Sequence, residues 1–256
     1  MKYRTYARPA SLVEAYALLQ NKNTVILGGN LWLRMRNKTY SCAVDLSALG
    51  LDGMEETEEG ISIGASVSLR TMETSPLLNT YAQNAFRTAL SPIVGVQFRN
   101  TATVGGSVFG RFGFSDVLTL LSSLGASVSL YHAGTVSVRD FAENGAEKDI
   151  LTAVLLPKDP PDRIVYLAQR NAATDFPVLN TAVCLRGNVL SVTVGARPLR
   201  AVNTDYPYSG TLSEDRIRDI ANELSETLTF GSNRMASEGY RRHLCRVLVT
   251  RALQAL

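Results

Sequence analysis

The chain has 256 residues, 45% apolar and 19% charged, a globular composition that sets aside disordered and fibrous chains. Its 26 Lys and Arg against 23 Asp and Glu leave a net charge of +3, which gives no reason to expect a nucleic-acid groove. Three cysteines and two histidines, Cys42, Cys184, Cys245, His132 and His243, stand far apart, so neither a disulfide framework, nor zinc, nor an iron–sulfur cluster held by this chain alone is expected.

The first 50 residues read as strand, helix, strand, turn, strand. Ser11-Leu-Val-Glu14 is a capping box, in which the Ser hydroxyl meets the Glu14 N–H and Glu14 reaches back. Thr24–Leu27 is a short β-branched run that ends abruptly on Gly28-Gly29-Asn30. Leu31–Arg36 can form a helical turn, and Cys42–Leu46 is the next strand. Met54–Thr57 and Gly60–Ala65 flank a polar turn and predict a hairpin. Two helical stretches lie between Leu69 and Leu90. The Gly-rich segment 91–107 reads as irregular. Ser115 caps a helix from Asp116 to Leu124, Ala126–Tyr131 and Thr135–Val138 pair as a hairpin, and Leu151–Leu156 is a strand. Lys158-Asp-Pro-Pro-Asp162 is the best linker. Beyond it come strands at Arg163–Arg170, Pro177–Arg186 and Val189–Gly195, then helices near Glu214–Thr227 and Ser237–Leu256. Tyr240, Leu244, Val247, Leu248 and Ala252 share a stripe on the last helix that is read as core.

No apolar run reaches the ~18–20 residues that span a bilayer. The opening MKYRTYARPAS has no apolar signal-peptide region, so a cytoplasmic protein with no membrane partner is expected.

Two Gly-Gly loops carry the chemistry. Glycine after a strand permits φ > 0 and lets backbone N–H groups approach an anion with no Cβ in the way. At Gly28-Gly29 the dinucleotide pattern GxGxxG fails in both registers, because Asn30 or Leu31 stands where the second glycine belongs. Thr101-Ala-Thr103-Val104-Gly105-Gly106-Ser107 again joins glycines to hydroxyls, and no Lys follows as in a Walker A loop. Two such loops suit the two phosphates of one pyrophosphate, held by neutral donors. A plain pair of turns is the competing reading.

These segments, in order, resemble the flavin-binding medium subunit of molybdenum hydroxylases, the family of xanthine dehydrogenase and aerobic carbon monoxide dehydrogenase. Leu27-Gly28-Gly29-Asn30-Leu31-Trp32 resembles A-G-G-[TH]-[DS]-L. Gln97 to Ser107 resembles Q-I-R-N-x-G-T-I-G-G-N. Asp116 and the residues after it resemble S-D-L-x-P-A-L-L-A-L-G-A. Asp149–Pro157 resembles E-I-L-x-x-I-x-[LI]-P, and Ser237–Leu253 resembles S-x-x-Y-R-x-x-L-x-x-V-L-x-x-R-A.

The resemblance implies an α+β, PCMH-type FAD fold: subdomains over 1–52 and 53–157, and a C-terminal domain of antiparallel sheet and helices over 163–256. It implies that Leu27, Gly28, Gly29, Asn30, Leu31 and Trp32, with Thr103, Val104, Gly105, Gly106 and Ser107, hold the FAD pyrophosphate. It sets Asp116 near the ribose or phosphate end, Leu151 beside the isoalloxazine and Ile93 on the flavin ring. It implies an electron-transfer subunit with no catalytic side chain and no metal of its own. Electrons would come from an iron–sulfur subunit that serves a molybdopterin subunit, and leave to NAD or another acceptor. A stand-alone flavin reductase of the same fold and a flavin-free scaffold subunit are the alternatives.

Several residues depart from the pattern. Ser107 stands where Asn is usual, Gly110–Phe114 is bulky where small residues are usual, and Ala168 falls near a missing lysine. Arg111 either contacts phosphate, faces a partner or is solvated. Asp45 ends a strand and orders a turn, or is an acid of the site. Trp32 packs on the cofactor or fills the core.

Overall fold

The computed structural model describes all 256 residues, Met1–Leu256, and the chain has the expected α+β character. Backbone packing divides it into two units, each assembled from separate chain segments. The first comprises residues 1–71, 96–110 and 126–158, and the second comprises 72–95, 111–125 and 159–256.

The first unit holds two sheets. Strands β1 (Lys2–Ala7), β2 (Thr24–Leu27) and β3 (Thr39–Asp45) form a parallel sheet in the order β1-β3-β2. Parallel neighbours need a crossover, and helix α1 (Leu12–Gln20) supplies it between β1 and β2. Its Ala15 and Leu19 pack against Val44, Leu46 and Ile150. The capping box forms with one change: Ser11 Oγ accepts the Glu14 N–H at 3.2 Å, while Glu14 Oε2 accepts the N–H of Ala10, one residue before the cap, at 2.9 Å.

The second sheet is antiparallel, in the order β4-β5-β8-β6-β7. Its strands are β4 (Met54–Thr57), β5 (Gly60–Gly64), β6 (Ser127–Leu130), β7 (Gly134–Ser137) and β8 (Leu151–Pro157), and both predicted hairpins form. The Asp149 carboxylate closes the turn after β6 by accepting the N–H groups of His132 and Ala133 at 3.0 and 2.8 Å. Helix α8 (Val138–Asn144) follows β7.

The segment expected to be irregular is not. It contains two one-turn helices, α5 (Val96–Thr101) and α6 (Val104–Phe109). Glycine and β-branched residues have poor helix propensity, which hides them in the sequence. The cap settles the matter: Thr103 Oγ1 accepts the Gly106 N–H at 3.1 Å.

The second unit is built on an antiparallel sheet in the order β12-β11-β10-β9, from β9 (Arg163–Arg170), β10 (Pro177–Arg186), β11 (Val189–Gly195) and β12 (Val202–Pro207). Strand β10 is buried along nine of its ten residues, because helices lie on both of its faces. The polar edge strand β12 gives no apolar alternation from which to predict it. Its pairing is secured by side chains, Ser191 to Asp205 at 2.5 Å and Thr193 to Asn203 at 2.7 Å. Helices α3 (Pro76–Tyr81), α4 (Ala85–Leu90), α7 (Asp116–Ser123), α9 (Glu214–Thr227) and α10 (Glu238–Gln254) complete the unit, while α2 (Leu69–Thr74) runs across the boundary in the chain. Helix α7 is buried at every position, polar ones included.

The α10 stripe is rotated by about one residue from its expected position. Leu244, Leu248 and Ala252 are buried, but Tyr240 is 46% exposed and Val247 is half-buried, while Arg241, Cys245 and Val249 point inward. Arg241 is the surprise, at 1% exposure. Its guanidinium donates to the carbonyls of Val178, Gly231 and Ala236 at 2.9, 2.7 and 3.0 Å, and to Asn233 Oδ1 at 2.8 Å. One side chain thus ties β10 to the loop between α9 and α10.

Replacing Arg241 with Ala strands the buried Val178 carbonyl and the half-buried carbonyls of Gly231 and Ala236, and leaves a cavity. The expected cost is about 3 kcal/mol or more, read as a fall in unfolding temperature of roughly 6–12 °C. A thermal scan of Arg241→Ala that matches wild type would show that water satisfies those carbonyls.

Candidate functional site: a two-loop cradle and a buried carboxylate

The first loop begins where β2 ends. Leu27, half-buried, pairs with Asp45 on β3. Asp45 itself orders the turn after its strand: Oδ1 accepts the Ser47 N–H at 2.9 Å and Oδ2 accepts the Tyr6 hydroxyl at 2.5 Å. From Gly28 the chain leaves the sheet and enters a 3₁₀ turn at Leu33–Met35, with Trp32 just ahead of it. Trp32 is half-buried and meets Phe98 edge-on at 6.4 Å between ring centroids.

The two Gly-Gly loops lie side by side within the first unit. A Cβ on Gly28 would stand 3.0 Å from Thr103 Oγ1 and 3.9 Å from Gly106 Cα. A Cβ on Gly29 would overlap the Thr101 carbonyl, and one on Gly105 would stand 2.7 Å from the Ala65 carbonyl oxygen. Gly29 and Gly105 are therefore packing glycines that let backbones touch. Gly106 differs: it is exposed, and its added Cβ would meet only Thr103 Oγ1, at 3.1 Å. None of the four has a positive φ, so space rather than left-handed backbone demands glycine here. The left-handed residue in the loop is Asn30, at φ 59°.

The amides divide unequally between the loops. In the second loop they are already committed: Val104 N–H to the Val67 carbonyl and Gly105 N–H to the Ala65 carbonyl, both at 2.9 Å, and Ser107 N–H to the Thr103 carbonyl at 3.0 Å. Gly106 N–H goes to Thr103 Oγ1, and the Ser107 hydroxyl donates to the Thr103 carbonyl at 2.8 Å. Thr103 is left with its hydroxyl proton to give. In the first loop the N–H groups of Gly28, Gly29, Asn30 and Leu31 make no backbone hydrogen bond. The Asn30 Oδ1 is buried without a partner. A buried polar atom left this way costs about 1–3 kcal/mol unless a ligand or water meets it. The amides of the first loop are thus left unbonded, while those of the second are taken up by the fold.

Asp116 lies in the second unit as the first residue of α7, with Ser115 rather than Asp116 serving as the cap. Its carboxylate is 4% exposed and turned inward. Oδ1 accepts from Arg170 Nη2 at 2.6 Å, from Asn180 Nδ2 at 3.3 Å, and from the Tyr166 hydroxyl. Asn180 is held in turn by Thr119 Oγ1 at 3.0 Å. Burial pushes the Asp116 carboxyl above its ordinary range, against the pull of Arg170, Tyr166 and Asn180. Burial and the adjacent carboxylate push Tyr166 well above its own range, so its proton stays on and donates. All three donors converge on Oδ1, which leaves Oδ2 without a hydrogen bond. No local signal in the sequence joins Asp116 to partners 50 to 64 residues away.

The remaining site residues are placed less tellingly. Leu151 opens β8 opposite Leu130 and is buried. Ile93 is half-buried in the turn after α4, its N–H on the Leu90 carbonyl at 3.0 Å. The bulky 110–114 loop does not flare outward. Arg111 takes φ 46°, and the half-buried Phe112 and Phe114 stack at 5.2 Å, with Phe176 4.4 Å from Phe114. His132 stacks on Tyr16, His243 is exposed, and Cys184 and Cys245 are buried among apolar side chains, so none forms a catalytic set. Burial pushes the Cys245 thiol up to about 12. No group of His, Cys, Asp and Glu is arranged to hold a metal.

Four unbonded amides at the end of a strand thus lie beside a capped, glycine-rich helix. Residues 1–159 match the FAD binding domain in molybdopterin dehydrogenase, and residues 165–256 match the CO dehydrogenase flavoprotein C-terminal domain. The chain belongs to this family: it is an FAD-binding oxidoreductase subunit of the molybdenum hydroxylase class.

Among relatives, the glyceraldehyde dehydrogenase medium chain of Sulfolobus acidocaldarius is 26% identical, over 98% of this chain and 97% of its own. Aldehyde oxidase 2 of Cavia porcellus is 28% identical over 51% of this chain, which spans only 11% of that protein's length. In fold, the chain is similar to carbon monoxide dehydrogenase from Hydrogenophaga pseudoflava (TM-score 0.90, 19% identity, 100% of this chain and 97% of that one). It is also similar to quinoline 2-oxidoreductase from Pseudomonas putida 86 (TM-score 0.87, 22% identity, 100% and 98%).

The division of labour among the glycines is testable. Gly106→Val places its side chain in the open mouth of the cradle, so bound FAD should fall at least ~10-fold while the unfolding temperature stays near wild type. Gly105→Val instead collides with the Ala65 backbone, and the unfolding temperature should drop by several degrees or more. Full flavin content in purified Gly106→Val would reduce the loop to a structural turn.

Proposed function

We propose that this chain is the FAD-binding electron-transfer subunit of a xanthine dehydrogenase-type molybdenum hydroxylase complex, working with an iron–sulfur subunit and a molybdopterin subunit. The observation that carries the reading is the unbonded run of amides at Gly28–Leu31 beside Thr103 and Gly106. Four backbone donors and the Thr103 hydroxyl suit the oxygens of a pyrophosphate and need no lysine, while the unpartnered Asn30 Oδ1 is an acceptor for a hydroxyl or water. Leu27, Leu31 and Trp32 support the first loop, while Val104, Gly105 and Ser107 support the second.

Asp116 Oδ2 is proposed as the acceptor for a cofactor hydroxyl, with Oδ1 held by Arg170, Tyr166 and Asn180 so that the free oxygen keeps one direction. Leu151 and Ile93 are proposed as apolar neighbours of the isoalloxazine. Bound FAD supplies the redox chemistry, between clusters on a partner and NAD or another acceptor, and the side chains here supply binding, orientation and shelter from water. This division agrees with the lack of any paired acid and base in the chain.

Substrate choice rests with the molybdopterin partner. The names of the relatives include glyceraldehyde, carbon monoxide and quinoline, and nothing in this chain selects among such substrates. A cytoplasmic site of action is proposed with the rest, and no helix is long and apolar enough to cross a membrane.

Acid release followed by chromatography against standards should yield FAD and not FMN, since a cradle for two phosphates is redundant for one. The FAD-loaded chain alone should not turn over an aldehyde, carbon monoxide, quinoline or a purine. Addition of both partner subunits should restore turnover of the complex's own substrate. FMN as the only flavin would defeat the pyrophosphate argument, and substrate hydroxylation by the isolated chain would defeat the subunit assignment.

A further inference from the structure

The modest net charge conceals a sharp segregation within the first unit. Residues 1–44 hold seven Lys and Arg and one acid, Glu14, so the other 212 residues carry 19 Lys and Arg against 22 acids. All seven cations are exposed, and five gather near the N-terminal end of β1: Lys2, Arg4, Arg34, Arg36 and Lys38. The backbone brings them together, because the Met1 amine donates to the Arg34 carbonyl at 3.1 Å and Lys2 N–H donates to the Lys38 carbonyl at 3.0 Å. None of the five makes an ion pair; Lys38 lies over the Tyr40 ring at 5.0 Å. Tyr3 and Tyr6 add exposed aromatic surface, at 46% and 52%.

An opposite patch lies elsewhere in the same unit. Asp52, Glu55, Glu56, Glu58 and Glu59 are all exposed on and beside the β4–β5 hairpin, and no Lys or Arg occurs anywhere from Thr39 to Leu69. None of these acids makes an ion pair either.

Both patches sit on open sheet edges. Strand β1 is an edge of the parallel sheet and β4 is an edge of the antiparallel one, so each presents a row of unpaired backbone donors and acceptors. Charge on an edge repels another edge of the same sign, which protects β1 from β1 and β4 from β4. The opposite pairing is attractive, and it offers strand addition with Tyr side chains of the type enriched at interfaces.

We propose that the basic β1 edge of one copy docks on the acidic β4 edge of a second copy of this chain, making a heterologous, head-to-tail contact. The occupant is argued from complementarity: the acidic partner surface that β1 requires is present on the chain itself. Isolated exposed ion pairs are weak and screened by salt, so the association is concentration-dependent and salt-sensitive. It is independent of the flavin cradle and of the redox partners.

Sedimentation velocity on the FAD-loaded full chain tests it, run up to ~100 μM protein in about 50 mM and about 500 mM salt. Wild type should associate at low salt and weaken at least ~10-fold at high salt. One variant carries Lys2→Glu, Arg4→Glu and Lys38→Glu; another carries Glu55→Lys, Glu56→Lys and Glu58→Lys. Each should remain monomeric alone, and an equimolar mixture should regain association, because every contact is again of opposite sign. Flavin content and unfolding temperature report whether each variant is folded, and the corresponding Gln substitutions replace any that is not. Wild type that stays monomeric at low salt overturns the proposal, even if its basic edge binds a DNA duplex or polyglutamate. Association that the reversed charges leave unchanged, or a mixture that stays monomeric, overturns it equally.

Discussion

The cradle depends on backbones being allowed to touch. Gly29 lies against the Thr101 carbonyl and Gly105 against the Ala65 carbonyl, where any side chain would collide with main chain. This close approach brings the end of β2 and the start of α6 together, though they are some 75 residues apart in the chain. Once they are packed this way, the hydrogen bonds of the second loop are spent on the fold. The donors left over are those of the first loop. What the packing does not satisfy there is left for a ligand to meet.

The second unit follows a different rule, in which buried polar groups hold segments that the apolar core cannot orient. Asp116, Arg170, Tyr166, Asn180 and Thr119 form one connected set around a helix buried on every side. Arg241 does the same for the chain around Val178, Gly231 and Ala236. Removing one member of such a set leaves the others buried and unpaired, so each is more costly to lose than its own bonds suggest. Both sets are centred on side chains at most a few per cent exposed, Asp116 and Arg241.

Much of this was legible in the sequence, for identifiable reasons. The two Gly-Gly loops, the β10 and β11 strands and the capped helices α7, α9 and α10 announce themselves by local signals, and the ordered motifs give the family. The one-turn helices α5 and α6 did not, because glycine and β-branched residues disguise a helix that a single Thr103 cap sustains. The polar strand β12 was hidden because its pairing is fixed by Asn203 and Asp205 rather than by apolar alternation. The stripe of α10 was displaced because an arginine occupies a core position. The unequal roles of the two loops had no sequence signal, since only three-dimensional pairing reveals that the amides of 104–107 are taken and those of 28–31 are not.

Amide hydrogen exchange reads that asymmetry directly. Exchange rates of the flavin-free and FAD-loaded chain would be compared residue by residue. The amides of Gly28, Gly29, Asn30 and Leu31 should exchange freely without flavin and become strongly protected with it, while those of Val104, Gly105 and Ser107 should change little. Protection gained at 104–107 with none at 28–31 would contradict it.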